Sequence, residues 1–460
     1  MREQQTNGLT QYMAFLGASS VMAAAVLIGW ASGVEDFAVF DVRDVEPSRN
    51  DVPGIEPWKV VTLDPDYGGQ WVVAGDLDGD GAVEIVSAEN VNQGDVHFTS
   101  AVVAQRLDGT VLWRWGDPQP GRKVWHHDVA CQIYDFNGDG APEVVLSTKG
   151  FLVELAGATG KELRRIAIPV EATDCLVFCN LSGGRDRGEV LVKDRYHQIW
   201  AYNRKGERLW TIKDPGGFMT AHQPRPMDID GDEREEILAG FALLNPDGSV
   251  RWTYQPQTES IRSGHLDCGR ILRQGKKPED TRIVMTCCGG NAIVLLDGNG
   301  KQIWEQTGQH FESVDIGRIL PEPAGPQIVV DIDHKSYGDG PLWILDQAGK
   351  RLGRIITVYS RHHGLVDFNS DGLDEIIVGQ NSSIYDSHGR RIGIFLTPGL
   401  TLKHTQDDFE VSILTGEMTG DGVLDVLIVT PQTVFVYRNP SARGIRPPFP
   451  LGTELNLTLY

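Results

Sequence analysis

The sequence has no surplus of positive charge: 42 Lys and Arg stand against 63 Asp and Glu, a formal net charge of −21. Phosphate recognition needs a basic face, and no basic cluster is visible, so a nucleic-acid partner is not expected. Cysteine is scarce. Six in 460 residues (Cys131, Cys175, Cys179, Cys268, Cys287 and Cys288) cannot supply a disulfide framework for so long a chain. Long apolar runs are also nearly absent. The single one, MAFLGASSVMAAAVLIGWAS at 13–32, reads as an export signal, with Ala31, Ser32 and Gly33 as small residues for cleavage, or as one membrane-anchoring helix. Either reading predicts a secreted, periplasmic or cell-surface protein. The expected organisation is a signal or anchor over 1–33, a linker over 34–56, a folded body over 57–440 and a tail over 441–460. A monomer is expected.

What the sequence does have is apolar content for a sizeable core, 40% hydrophobic against 23% charged, and a repeat. Good copies read WVVAGDLDGDGAVEIVSAEN (71–90), CQIYDFNGDGAPEVVLSTKG (131–150), PMDIDGDEREEILAG (226–240), GLVDFNSDGLDEIIVG (364–379) and LTGEMTGDGVLDVLIV (414–429). Degenerate copies start near 179, 268 and 316. Each is followed by a turn and an outer strand, as in LDGTVLW, PDGSVRW and GNGKQIW. Strand, Asp loop, strand, strand, Gly turn and strand make four antiparallel strands per period, the composition of a propeller blade. An all-β propeller of eight blades is expected, or seven if one degenerate copy is an insertion. The last unit lacks its outer strand, and PWKVVTL (57–63) is unpaired, so the two should meet and close the ring.

The loops place oxygen donors at alternate positions with a Glu four residues on, a spacing that wraps a hard cation. Candidate calcium ligands are Asp76, Asp78, Asp80 and Glu84; Asp135, Asn137, Asp139 and Glu143; Asp228, Asp230, Asp232 and Glu236; and Asp367, Asn369, Asp371 and Glu375. The last unit keeps only Glu417, Asp421 and Asp425. The same residue types also bond their own backbone at turns without metal.

The tandem D-x-[DN]-x-D-G-x-x-E repeats resemble FG-GAP or VCBS-type calcium-loop repeats. VWHHDVACQIYDFNGDG (124–140), VLVKDRYHQIWAYN (190–203), AHQPRPMDIDGDE (221–233), SGHLDCGRIL (263–272) and GQHFESVDIGRIL (308–320) give the chain a wider resemblance to the propeller polysaccharide lyases, namely rhamnogalacturonan and ulvan lyases. That resemblance implies β-elimination on a uronate-bearing acidic polysaccharide. Such chemistry needs a cation at the carboxylate, a base for the C5 proton and an acid for the leaving O4. The candidates are His126 or His127 as base, Tyr196 as acid, and Arg225 with Lys193 and Arg195 as neutralisers. KDRY also reads as a charged surface strand.

Independently of the resemblance, histidines recur at the expected start of the innermost strands: His126, His127, His222, His265, His310, His362 and His363. Those starts converge on one face of a propeller. His222, His265, His310, His362 and His363 are therefore substrate-binding candidates, each of which could instead pack the channel mouth. His265, Cys268, Cys287, Cys288 and His310 could together hold zinc, although no C-x₂-C pair is present and buried inert thiols are the other reading. The rival to a lyase is a non-catalytic repeat propeller that binds glycan or protein through the same face. A quinone-dependent redox propeller is disfavoured because no ligand set for a quinone is identifiable.

Overall fold

In a computed structural model, residues 37–45, 51–92, 97–120, 129–184, 186–256, 264–289, 291–332, 339–358, 363–400 and 411–441 are described. The apolar segment 13–32, the candidates His126, His127 and His362, and the tail from 442 lie outside these residues. Among the described residues no helix is long and apolar enough to cross a membrane.

Eight sheets follow one another along the chain, so eight blades form and the seven-bladed alternative is not realised. The inner strands of blades 1 to 8 are Trp71–Gly75, Cys131–Tyr134, Cys175–Cys179, Thr220–Met227, Leu266–Arg273, Phe311–Gly317, His363–Val366 and Ser412–Gly416. The degenerate copies near 179, 268 and 316 are true blades 3, 5 and 6. Each inner strand pairs antiparallel with the strand after its Asp loop, as in Trp71↔Ala88 to Gly75↔Glu84.

The ring closes as the unpaired PWKVVTL predicts. Lys59–Thr62 pairs antiparallel with Thr433–Tyr437, Lys59 opposite Val436 and Thr62 opposite Thr433, and supplies the fourth strand of blade 8. The stretch 34–56, expected to be a linker, contributes two further strands. Phe40–Arg43 lies parallel to Arg351–Val358 as a fifth strand of blade 6, and Gly54–Ile55 lies parallel to Arg391–Phe395 on blade 7. Asp44 fixes this segment through two 2.8 Å bonds from the buried Arg391 guanidinium.

The core is eight separate cores, one between each pair of consecutive blades, the last joining blade 8 to blade 1 through Val61, Leu427, Val429, Val72 and Ile85. The turn-and-Trp signature spans these interfaces. Trp113, Trp210, Trp252 and Trp304 each donate the indole N–H to a carbonyl in the next blade's turn, at Gly157, Pro246, Gly298 and Gln347, over 2.6–3.0 Å. The same rings lie against the turn glycines, so a Cβ at Gly160 (φ 65°) would stand 2.4 Å from Trp113. Glycine is required there both for the left-handed backbone and for the space.

The Asp loops fold on their own backbone. Asp135 accepts from the N–H groups of Gly138, Asp139 and Gly140 at 2.7, 3.0 and 3.0 Å. The Glu that opens the second strand reaches back to the N–H of the second residue beyond the inner strand: Glu84 to Leu77 at 2.9 Å, Glu143 to Phe136 at 2.9 Å and Glu375 to Phe368 at 2.7 Å. In blade 6 Gln327 makes the equivalent bond, to Ile319 at 2.8 Å. A neutral amide fills this position, so what the fold needs there is an acceptor rather than a charge.

Candidate functional site

The site is built from blades 3 to 6 on the face where the inner strands begin. Asp194 makes KDRY a hairpin turn, its carboxylate accepting from His197 N–H at 2.7 Å and Gln198 N–H at 2.8 Å. The charged surface strand is thus replaced by a turn that holds Tyr196 half-buried on this face. His222 comes from blade 4, His265 and Asp267 from the start of blade 5, Cys288 from the end of blade 5's second strand, and His310 and Glu312 from the start of blade 6.

These side chains meet. The Nε2 atoms of His222 and His265 are 2.8 Å apart, and the Tyr196 ring centroid lies 5.9 Å from that of His222 and 5.1 Å from that of His265. Asp267 stands at the centre, one oxygen 3.1 Å from His265 Nε2 and 3.7 Å from His222 Nε2, the other 3.7 Å from His310 Nε2. Glu312 lies 3.5 Å from His310.

Electrostatics follow from this crowding. Burial would raise the Asp267 carboxyl, but hydrogen bonds from His265 and His310 hold it below its usual range. Burial would lower His265, yet its bonds to Asp267 and Cys288 raise it to about 9. His310 is pushed up to about 11, chiefly by Asp267 and then by Cys288. Burial also raises the Cys288 thiol, and the two imidazoles overcome this to leave it lowered. With no metal bound, His265 and His310 are therefore cations at neutral pH and poor bases.

The donors also suit a metal. His222, His265 and Asp267 form one group with ligand atoms within 4.8 Å of one another, and Asp267, Cys288 and His310 form a second. Imidazole, thiolate and carboxylate sharing one central Asp are a zinc-type donor set. The composition differs from the sequence expectation. Cys268 packs in the core between blades 5 and 6, its thiol 3.7 Å from the Val314 carbonyl, and Cys287 packs in the core between blades 4 and 5, its thiol raised well above normal by burial. Strand alternation turns both toward blade interfaces. Asp267 and His222 stand in the positions expected of the two thiols. The signal that could have found Asp267 and Glu312 is the alternation His-x-Asp (265–267) and His-x-Glu (310–312), which puts both side chains of each pair on one face of a strand.

Other candidates fall elsewhere. Lys193 is buried, its ammonium bonded to Asp174 at 2.8 Å and to the Arg195 carbonyl at 2.7 Å, so it supports the turn rather than facing substrate. Arg195 pairs with Asp174 at 3.3 Å and lies over the Tyr196 ring, 4.9 Å from its centroid. Arg225 is buried deeper in the channel, three residues beyond His222 along the inner strand, and lines a cavity with Arg270. His363 is buried 3.6 Å from Asp315 of blade 6, and burial lowers its pKa.

No family model matches the chain, so the FG-GAP and VCBS reading of the repeats rests on loop spacing alone. The chain is 33% identical over 376 residues to rhamnogalacturonan exolyase YesX of Bacillus subtilis (strain 168), an alignment covering 68% of this chain and 57% of that protein. It is 26% identical over 260 residues to rhamnogalacturonan endolyase YesW of the same organism, covering 43% of this chain and 41% of that protein. It thus spans about half the length of the curated relatives it matches. Among solved structures, a Bacillus licheniformis rhamnogalacturonan lyase superposes with a TM-score of 0.60 at 19% identity, covering 89% of this chain and 78% of that chain. Fold and comparisons together define the class: an eight-bladed β-propeller similar to those of the propeller polysaccharide lyases.

Proposed function

We propose that the protein is an exported polysaccharide lyase that cuts a uronate-bearing chain, of rhamnogalacturonan or ulvan type, by β-elimination. The observation that carries this reading is the convergence of Tyr196, His222, His265, Asp267, Cys288 and His310 from four blades on one face, in a chain similar to two rhamnogalacturonan lyases. Tyr196 is the group that protonates the leaving O4. Arg195, over its ring, favours the phenolate that is left. The base for the C5 proton is assigned to His126 or His127, because His265 and His310 are held protonated by Asp267 and Cys288.

His222, His265, Asp267, Cys288 and His310 would hold a divalent ion such as zinc, which when bound supplies positive charge to offset the uronate carboxylate and acidify C5. Calcium belongs to the four intact Asp loops as a stabilising ion. The partner is the acidic polysaccharide, and the protein acts as a monomer, either released or held at the membrane by segment 13–32.

The test is incubation with a panel of uronate polysaccharides, following ultraviolet absorbance of the unsaturated product. Absorbance that grows with at least one substrate and disappears in Tyr196→Phe is the expected result. No absorbance with any substrate, alongside retained binding to one of them, would leave a glycan-binding propeller instead.

A further inference from the structure

The channel also contains polar groups that the face described above does not use. Arg225 of blade 4 and Arg270 of blade 5 line one cavity of about 220 Å³ with Arg187, Gln132 and Gln223. The remaining lining is apolar, including Phe178, Met227 and Ile271, and no carboxylate is among the described residues that line it. These are the ends of inner strands that run on into the Asp loops, so the cavity sits toward the opposite mouth from Tyr196. Arg225 is three residues beyond His222, about 10 Å at strand rise.

In a protein of net charge −21, two guanidiniums lining one small buried space stand out from the rest. Burial, and then the charge of Arg270, lower the Arg225 guanidinium to about 9. The third guanidinium is already balanced, since Arg187 pairs with Glu235 at 2.9 Å. Asp315 of blade 6 acts on Arg225 in the opposite sense, as a weaker influence than Arg270. Like charges held together away from water destabilise a fold unless something offsets them.

We propose that this cavity binds a small oxyanion, either inorganic sulfate or the carboxylate of a single uronate sugar, held by Arg225 and Arg270 with the Gln132 and Gln223 amides as further donors. Guanidinium forks match the paired oxygens of such anions. The site is independent of the lyase reading, because no group in it touches the Tyr196 face.

The test is thermal unfolding of the full chain in sodium sulfate, in sodium galacturonate and in sodium chloride at matched ionic strength. The expected result is a saturable rise in Tm of about 2 °C over chloride with at least one of the two oxyanions. Sulfate alone would identify an inorganic ligand, and galacturonate alone a sugar carboxylate. In Arg270→Gln the increment should vanish while Tm in chloride stays at or above that of the unaltered protein, since the repulsion is gone. Arg225→Gln, if it folds, should lose the increment in the same way. Sulfate stabilises many proteins by exclusion from their surfaces, so an equal rise in Arg270→Gln would overturn the proposal. No rise beyond chloride with either anion would overturn it too.

Discussion

At the Asp-loop end of the channel the blades repeat one another, while at the other end blades 3 to 6 each contribute something different. Asp76, Asp135, Asp228 and Asp367 all accept backbone N–H groups of their own loops, and even the degenerate blade 3 keeps the pattern with Asn180 and Glu189. Opposite them, Tyr196, His222, Asp267, Cys288 and His310 have no counterpart in the repeat. Where a residue recurs with the period, the fold accounts for it. Where it breaks the period at a shared position, chemistry is the better account.

That contrast predicts separable losses. The largest is at the irregular end: Tyr196→Phe should lower kcat by about 10²–10⁴-fold, the range for a positioned proton donor, with the urea midpoint unchanged. An equal fall in kcat from Asp135→Ala would break the comparison. Next, Asp267→Asn should abolish binding of added zinc, read by calorimetry, because Asp267 is shared by both ligand groups. Zinc bound as tightly by this variant would remove the central Asp from the donor set.

At the repeating end, Asp135→Ala should cost about 1–3 kcal/mol in urea unfolding, since three backbone N–H groups lose their acceptor, with kcat per folded molecule unaltered. Calcium should raise Tm through the intact loops, more through blades 2 and 7 than through blades 1 and 4. In blades 1 and 4 the Arg106 and Arg251 guanidiniums already bond loop carboxylates at 2.9 and 2.7–3.0 Å. In blades 2 and 7 Asn137 and Asn369 do so instead. Arg106→Gln and Arg251→Gln should therefore increase the calcium-dependent rise, and an unchanged rise would dissolve the distinction.

The smallest effect is on pH. Burial raises Asp425 of blade 8 from the usual 3.8 to about 6. The folded state then holds a proton that the unfolded chain has lost, so this residue's contribution to stability is present below about pH 4 and is lost as pH rises toward 6. Asp425→Asn should flatten that part of the stability profile, whatever it does to the absolute value.

The fold was legible because its rules are local and repeated: an Asp loop, then a Gly turn whose left-handed backbone is met by the previous blade's Trp. Ring closure was legible from one unpaired strand. The histidine positions could be read in the same way, since strand starts are marked by the loops that follow them. Their partners could not. Asp267, Glu312 and Asp174 act across blades, and choosing them over Cys268 and Cys287 requires knowing which strand residues face the channel and which face the next blade. Arg225 illustrates the same limit along the strand: it belongs to the expected blade, yet lies too far down the channel to join Tyr196.

The strands at 40–43, 54–55 and 59–62 complete blades 6, 7 and 8, which are made last during synthesis. Lys59 waits for Val436, and Asp44 for Arg391, across more than 300 residues of intervening chain. Closing so wide a loop is slow and entropically costly, so the nascent protein passes through an open arc with unpaired edges before its early segment can clasp the late blades. A chain that must cross a membrane unfolded gains from that delay, because nothing in its first half can complete the ring before the last blade has followed it across.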